Sequence, residues 1–123
     1  MGELELTDAT KAKFRTDGWS AAHFGFTSFK ASNGKGLLVI YDDFQTHDEA
    51  KRFFDWKVER SFRVRSKTAK TDPNGNCVEC RAELVSAPND QSVEVMWVVG
   101  RSVHVISANN LDDALEFERW YRH

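Results

Sequence analysis

At 123 residues, 41% of them hydrophobic and 12% aromatic, the chain falls in the size range of one domain able to build its own core, so a single globular domain over 1–123 is expected. A formal net charge of -2 argues against a dedicated polyanion binder, two cysteines are too few for a disulfide scaffold, and no apolar run approaches the roughly 20 residues of a membrane helix. The acidic opening MGELELTD lacks the basic and apolar regions of a secretory signal, which points to a cytoplasmic location.

Thr7 or Asp8 can cap a short helix that stops before Asp17-Gly18, but Ala9, Ala12 and Phe14 do not make one apolar stripe. Phe24 to Ala31 reads as a strand and Leu37 to Tyr41 as the next. The segment between them, Ser32-Asn33-Gly34-Lys35-Gly36, is a turn: it lacks the spacing and following helix of a phosphate-binding loop. Asp42-Asp43 then offers adjacent carboxylates, expected to be solvated in a loop. Thr46-His47-Asp48-Glu49 has the form of a capping box, and Ala50, Phe53, Phe54 and Val58 share a face, which predicts a helix to about Arg60.

Arg63 to Lys70 and Cys77 to Ser86 read as strands joined by Asp72-Pro73-Asn74-Gly75, where Pro presets φ and Gly tolerates positive φ. Ala87-Pro88-Asn89-Asp90 breaks the chain before the clearest pattern in the sequence. There Val93, Val95, Trp97 and Val99 alternate with Glu94, Met96 and Val98, Gly100-Arg101 turns the chain, and Val103 to Ile106 returns. Asn110 can cap a last helix, with Asp112 and Asp113 in its first turn. Sequential hairpins with helices between them predict an α+β fold: one antiparallel sheet of five or six strands with two or three helices packed on it, and Trp97 buried between the sheet and the two capped helices.

The helix opening Thr46-His47-Asp48-Glu49-Ala50, the Asp72–Gly75 turn leading to Arg81-Ala82, the Trp97 hairpin and the closing Asp113-Ala114-Leu115-Glu116-Phe117-Glu118 are together similar to small bacterial α+β domains of uncharacterised function, over roughly residues 40 to 121. The resemblance implies no activity.

The residues able to carry chemistry are scattered. Cys77-Val78-Glu79-Cys80 has redox spacing, but it enters a strand rather than a helix. In an extended strand residues three apart face opposite ways with Cα atoms about 10 Å apart, too far for a bridge, so both cysteines are expected to be free. No second cysteine pair or histidine pair accompanies them, and neither a metal nor a cofactor is expected. Of the four histidines, His23, His47, His104 and His123, His47 and His123 are expected to be solvated. His104 should project opposite Val103 and Val105 and meet Glu94 or Met96 across the strands.

Between Lys51 and Lys70 basic residues outnumber Asp55 and Glu59 heavily, and Arg63, Arg65 and Lys67 alternate as if to share one side of a strand. With Trp56 or Phe62 nearby for stacking, they form a candidate anion site for RNA or phosphate, although edge strands also carry such charges to deter aggregation. Two helical charges interrupt apolar faces. Glu118 falls among Leu111, Ala114, Leu115, Phe117 and Tyr121, and Lys57 among Ala50, Phe53 and Phe54. A buried charge needs a partner, so Lys57 and Glu118 would pair if their helices shared a sheet face, or each would meet an arginine or a tyrosine from the sheet, or they would line a small pocket with His104.

These features favour a noncatalytic binding or protein-interaction module, with a protein partner or a second copy of the chain in view, no membrane, and nucleic acid disfavoured by the absence of any recognition motif. No residue is assigned a catalytic role. The alternatives are a pocket protein or small enzyme using Lys57, His104 or Glu118, and an RNA or phosphate binder using Arg63, Arg65 and Lys67.

Overall fold

The computed structural model describes residues 3–5, 21–30, 36–88 and 91–122, with side chains from residue 37 onward. The expected helix after Thr7, the centre of the Ser32–Gly36 turn, Asn89-Asp90 and His123 lie outside the described residues. The elements are β1 (Glu3–Glu5), β2 (Ala21–Lys30), β3 (Gly36–Phe44), α1 (His47–Arg60), β4 (Arg63–Thr71), β5 (Cys77–Val85), β6 (Val93–Val99), β7 (Ser102–Ala108) and α2 (Leu111–Tyr121). Among the described residues the strands form one antiparallel sheet in the order β1-β2-β3-β7-β6-β5-β4, with the helices packed on it, an α+β fold. All six strands read from the sequence are present, and Glu3–Glu5 adds a seventh beside β2.

Local chemistry sets the boundaries. The Thr46 hydroxyl accepts from the Glu49 N–H at 3.1 Å and starts α1, and the Asn110 side chain accepts from the Asp113 N–H at 2.9 Å and starts α2. At the β4–β5 turn the Asp72 carboxylate accepts from both the Asn74 and Asn76 N–H groups at 2.9 Å, while Gly75 takes φ 83°. Gly100 takes φ 58° in the β6–β7 hairpin, a conformation that favours glycine.

The helices cover opposite faces of the sheet. Phe53 and Phe54 of α1 pack with Phe44, Leu84, Met96 and Val105, whereas Ala114 of α2 packs with Val39, Val95, Trp97 and Ile106. The cause is legible in β6, where Val95 and Trp97 face one way and Met96 and Val98 the other. A central strand apolar on both sides needs a cover on each. Trp97 is buried as expected, at 4% exposure, but it lies under α2 alone, not between the two helices.

Candidate functional site

On the α2 face one transverse row of cross-strand partners runs Thr68, Arg81, Trp97, His104, Tyr41 from β4 to β3. His104 therefore meets Trp97, not Glu94 or Met96, which occupy the other face. The Trp97 and His104 rings stack at 5.5 Å and 6°, and Tyr41 stacks on the other side of His104 at 6.3 Å. The Tyr121 hydroxyl and His104 Nδ1 share a hydrogen bond of 3.3 Å. Burial lowers the His104 pKa against the opposing pull of Asp43, with the Arg122 charge lowering it further.

Glu118 reaches this row from α2. Arg81 donates to it in a fork, Nε at 2.9 Å and Nη2 at 2.7 Å, and Arg122 adds a third donor at 2.9 Å. Burial pushes the Glu118 carboxyl up, but the Arg81 and Arg122 hydrogen bonds outweigh it and hold the pKa below the ordinary value. Arg81 spends its remaining side on Glu83 at 2.8 Å, and the Arg122 guanidinium lies over Trp97 at 4.7 Å. Two carboxylates and two guanidiniums satisfy one another here. The arrangement ties the end of α2 to β5 and commits both oxygens of the Glu118 carboxylate to arginine donors.

Lys57 belongs to the opposite face, so it does not pair with Glu118. It lies 3.4 Å from Glu94 of β6. A Lys57→Met and Glu118→Gln double-mutant cycle in urea should accordingly be additive within about 0.5 kcal/mol, whereas Arg81→Met with Glu118→Gln should couple by about 0.5 to 3 kcal/mol. Coupling in the first cycle would contradict the two-faced arrangement.

Asp42 shares the α1 face and is not solvated: β3 extends to Phe44, and Asp42 is 1% exposed beside Val103. Among the described residues neither carboxyl oxygen has a hydrogen-bond partner. Burial pushes its pKa up to about 8, with Lys57 lowering it and Asp43 raising it. Asp43 points to the other face, where the Ser102 hydroxyl donates to it.

The cysteines are joined. Cys77 and Cys80 form a disulfide with Cα atoms 5.8 Å apart, so the expectation of free thiols fails. It fails because the strand is not regular there: Lys70 pairs with Glu79 and Thr71 with Cys77, leaving Val78 as an unpaired bulge that shortens the span. His47 is engaged as well, not solvated. Its Nε2 accepts from the Cys77 N–H at 2.8 Å, and its Nδ1 is hydrogen-bonded to the Gly100 carbonyl. A shallow open groove lined by Thr46, Asp48, Lys51 and Gly75 runs between the start of α1 and the β4–β5 turn.

The basic residues lie in different surroundings. Lys51 pairs with Asp55 at 3.2 Å, Arg60 lies over the Trp56 ring at 4.6 Å, and Lys70 pairs with Glu79 at 3.4 Å. Trp56 is half-buried and stacks on Phe53, so it is no open platform for a base. Arg63, Arg65 and Lys67 are exposed on β4, but they do not share one side. A register shift at Arg65 reverses the alternation, placing Arg63 opposite Val85 on the α2 face and Lys67 opposite Ala82 on the α1 face.

Among the described residues no group of three or more His, Cys, Asp or Glu could hold a metal ion, and no helix is long and apolar enough to cross a membrane. No model of a known protein family matches the chain, and no curated protein matches it in sequence.

Proposed function

We propose that the protein is a noncatalytic interaction module that captures an acidic, extended polypeptide segment along β4. One observation carries the reading: β4 is a nine-residue edge strand, exposed along its length apart from half-buried Thr68, and among the described residues it pairs only with β5. An edge of this kind presents a row of backbone donors and acceptors to an incoming strand, and main-chain pairing supplies affinity while side chains supply selectivity. Exposed Arg65 and Lys67 favour an acidic partner. Exposed Phe62 and Val64 add apolar contact that a purely repulsive edge would lack.

The competing readings draw less support. Arg63 and Lys67 on opposite faces suit a strand flanked on both sides better than a nucleic-acid backbone following one groove. A pocket built from Lys57, His104 and Glu118 would need residues from both faces of a covered sheet. A cytoplasmic setting completes the reading, one in which a disulfide is a transient species.

Titration with a short peptide alternating glutamate and valine should shift the β4 amide resonances and protect them from exchange. The Arg65→Glu, Lys67→Glu variant should weaken binding at least about tenfold, roughly 1.4 kcal/mol. Shifts confined to other strands, or saturation by oligouridylate with none by the peptide, would overturn the reading.

A further inference from the structure

The Cys77–Cys80 pair is asymmetric in its surroundings. Cys80 is 2% exposed in the core beneath α1, among Ala82, Leu84 and Phe54. Cys77 is half-buried at the start of β5, immediately after the exposed turn residues Pro73 to Asn76. The first residue of α1, His47, faces it. With Nε2 accepting from the Cys77 N–H, the ring proton resides on Nδ1 and donates to the Gly100 carbonyl, so hydrogen bonds at both nitrogens hold the imidazole against Cys77. The bulge at Val78 lets two residues three apart on a strand come within bonding reach.

A structural staple gains from closing a long loop, because the entropy removed from the unfolded chain grows with loop length. Here the cysteines are separated by three positions, the short extreme, and Cys80 already lies in an apolar cluster. The bridge therefore contributes little constraint, while its half-buried Cys77 end, next to the exposed turn, is the one an external thiol can reach.

We propose that Cys77–Cys80 is a thiol–disulfide exchange site whose substrates are external thiols, with Cys77 as the sulfur attacked. An incoming thiolate bonds to Cys77 Sγ as the Cys77–Cys80 bond breaks, and Cys80 leaves as a thiolate that takes up a proton. A second thiolate, from the same dithiol or another monothiol, then attacks the external sulfur of the mixed disulfide. Cys77 is released as a thiolate and protonated. The net change moves two electrons and two protons from two external thiols to the protein, giving two cysteine thiols and one external disulfide. In reverse, the Cys77 thiolate attacks an external disulfide and Cys80 resolves the mixed species.

The test uses the full chain in mixtures of reduced and oxidised glutathione, quenched with iodoacetamide and read by mass, with circular dichroism on the same samples. The pair should open and close reversibly with the spectrum unchanged, and Cys77 should be alkylated at least about tenfold faster than Cys80. Cys80→Ser should accumulate a glutathione mixed disulfide at Cys77, while Cys77→Ser accumulates none at buried Cys80. If Cys80→Ser does not fold, the mass and circular-dichroism series on the unsubstituted protein still decides the matter. A pair that stays closed in concentrated glutathione, or opens only as the protein unfolds, is a staple and overturns the proposal. Equal alkylation of the two cysteines overturns the assignment of Cys77. None of these results bears on peptide capture at β4.

Discussion

Replacing Asp42 with asparagine should stabilise the protein at neutral and alkaline pH and flatten its pH dependence. The carboxyl is buried with no hydrogen-bond partner among the described residues, and its pKa rises from 3.8 to about 8, with burial as the largest cause. The folded state thus binds the Asp42 proton more tightly than the unfolded chain does. Its contribution to stability is fully present below pH 3.8 and is lost progressively as pH rises toward about 8, because the unfolded chain ionises first. At about 1.4 kcal/mol per pH unit the decline attributable to this one group is on the order of 5 kcal/mol. Urea unfolding of both proteins at intervals from pH 4 to 8 will measure it. The parent curve should fall relative to Asp42→Asn throughout that window, and parallel curves would show that the carboxyl is ionised and compensated in the folded protein.

Trp97→Ala should be about as damaging by a different route. The indole is 4% exposed, stacks on His104, meets the Tyr121 ring edge-on at 5.9 Å and carries the Arg122 guanidinium on its face. Truncation removes the transfer free energy of the ring and leaves a cavity under α2, at a cost of roughly 3 to 5 kcal/mol. It also unseats Arg122, one of the two arginines that donate to Glu118. Trp97→Phe, which keeps a ring against His104, should cost less. An alanine variant with an unchanged urea midpoint would be incompatible with this packing.

The parts of the fold that rest on local chemistry were legible in the sequence. Thr46 and Asn110 cap helices because their side chains reach backbone N–H groups three residues on, and Gly75 and Gly100 turn the chain because positive φ strains other residues. What escaped was long-range or depended on one inserted residue. The bulge at Val78 turned two supposedly distant cysteines into a bridge, and the shift at Arg65 split a basic stripe between two faces. Neither leaves a mark on the alternation of residue types. Glu118 and Lys57 were visible as charges on apolar faces, but Arg81 and Glu94 could be named as partners only once strand order was known. A signal for the opposite placement of the helices was present in β6, whose second face carries Met96 and Val98 and so required its own cover.

The antiparallel seam between β3 and β7 has a kinetic consequence. β4 to β7 form a meander of successive hairpins, each closed by a short turn and able to form early. Among the described residues β3 joins that meander only through β7, with Asp43 and Ser102 separated by 59 positions, so closing the seam must first meet the entropy of a long loop. Until it closes, β7 and β3 each present an unpaired edge with apolar residues on both sides. Each edge is chemically identical in every other copy of the chain. At high concentration, refolding can therefore zip the β2–β3 hairpin of one molecule onto the meander of another, yielding a dimer by exchange of identical halves rather than by a new interface.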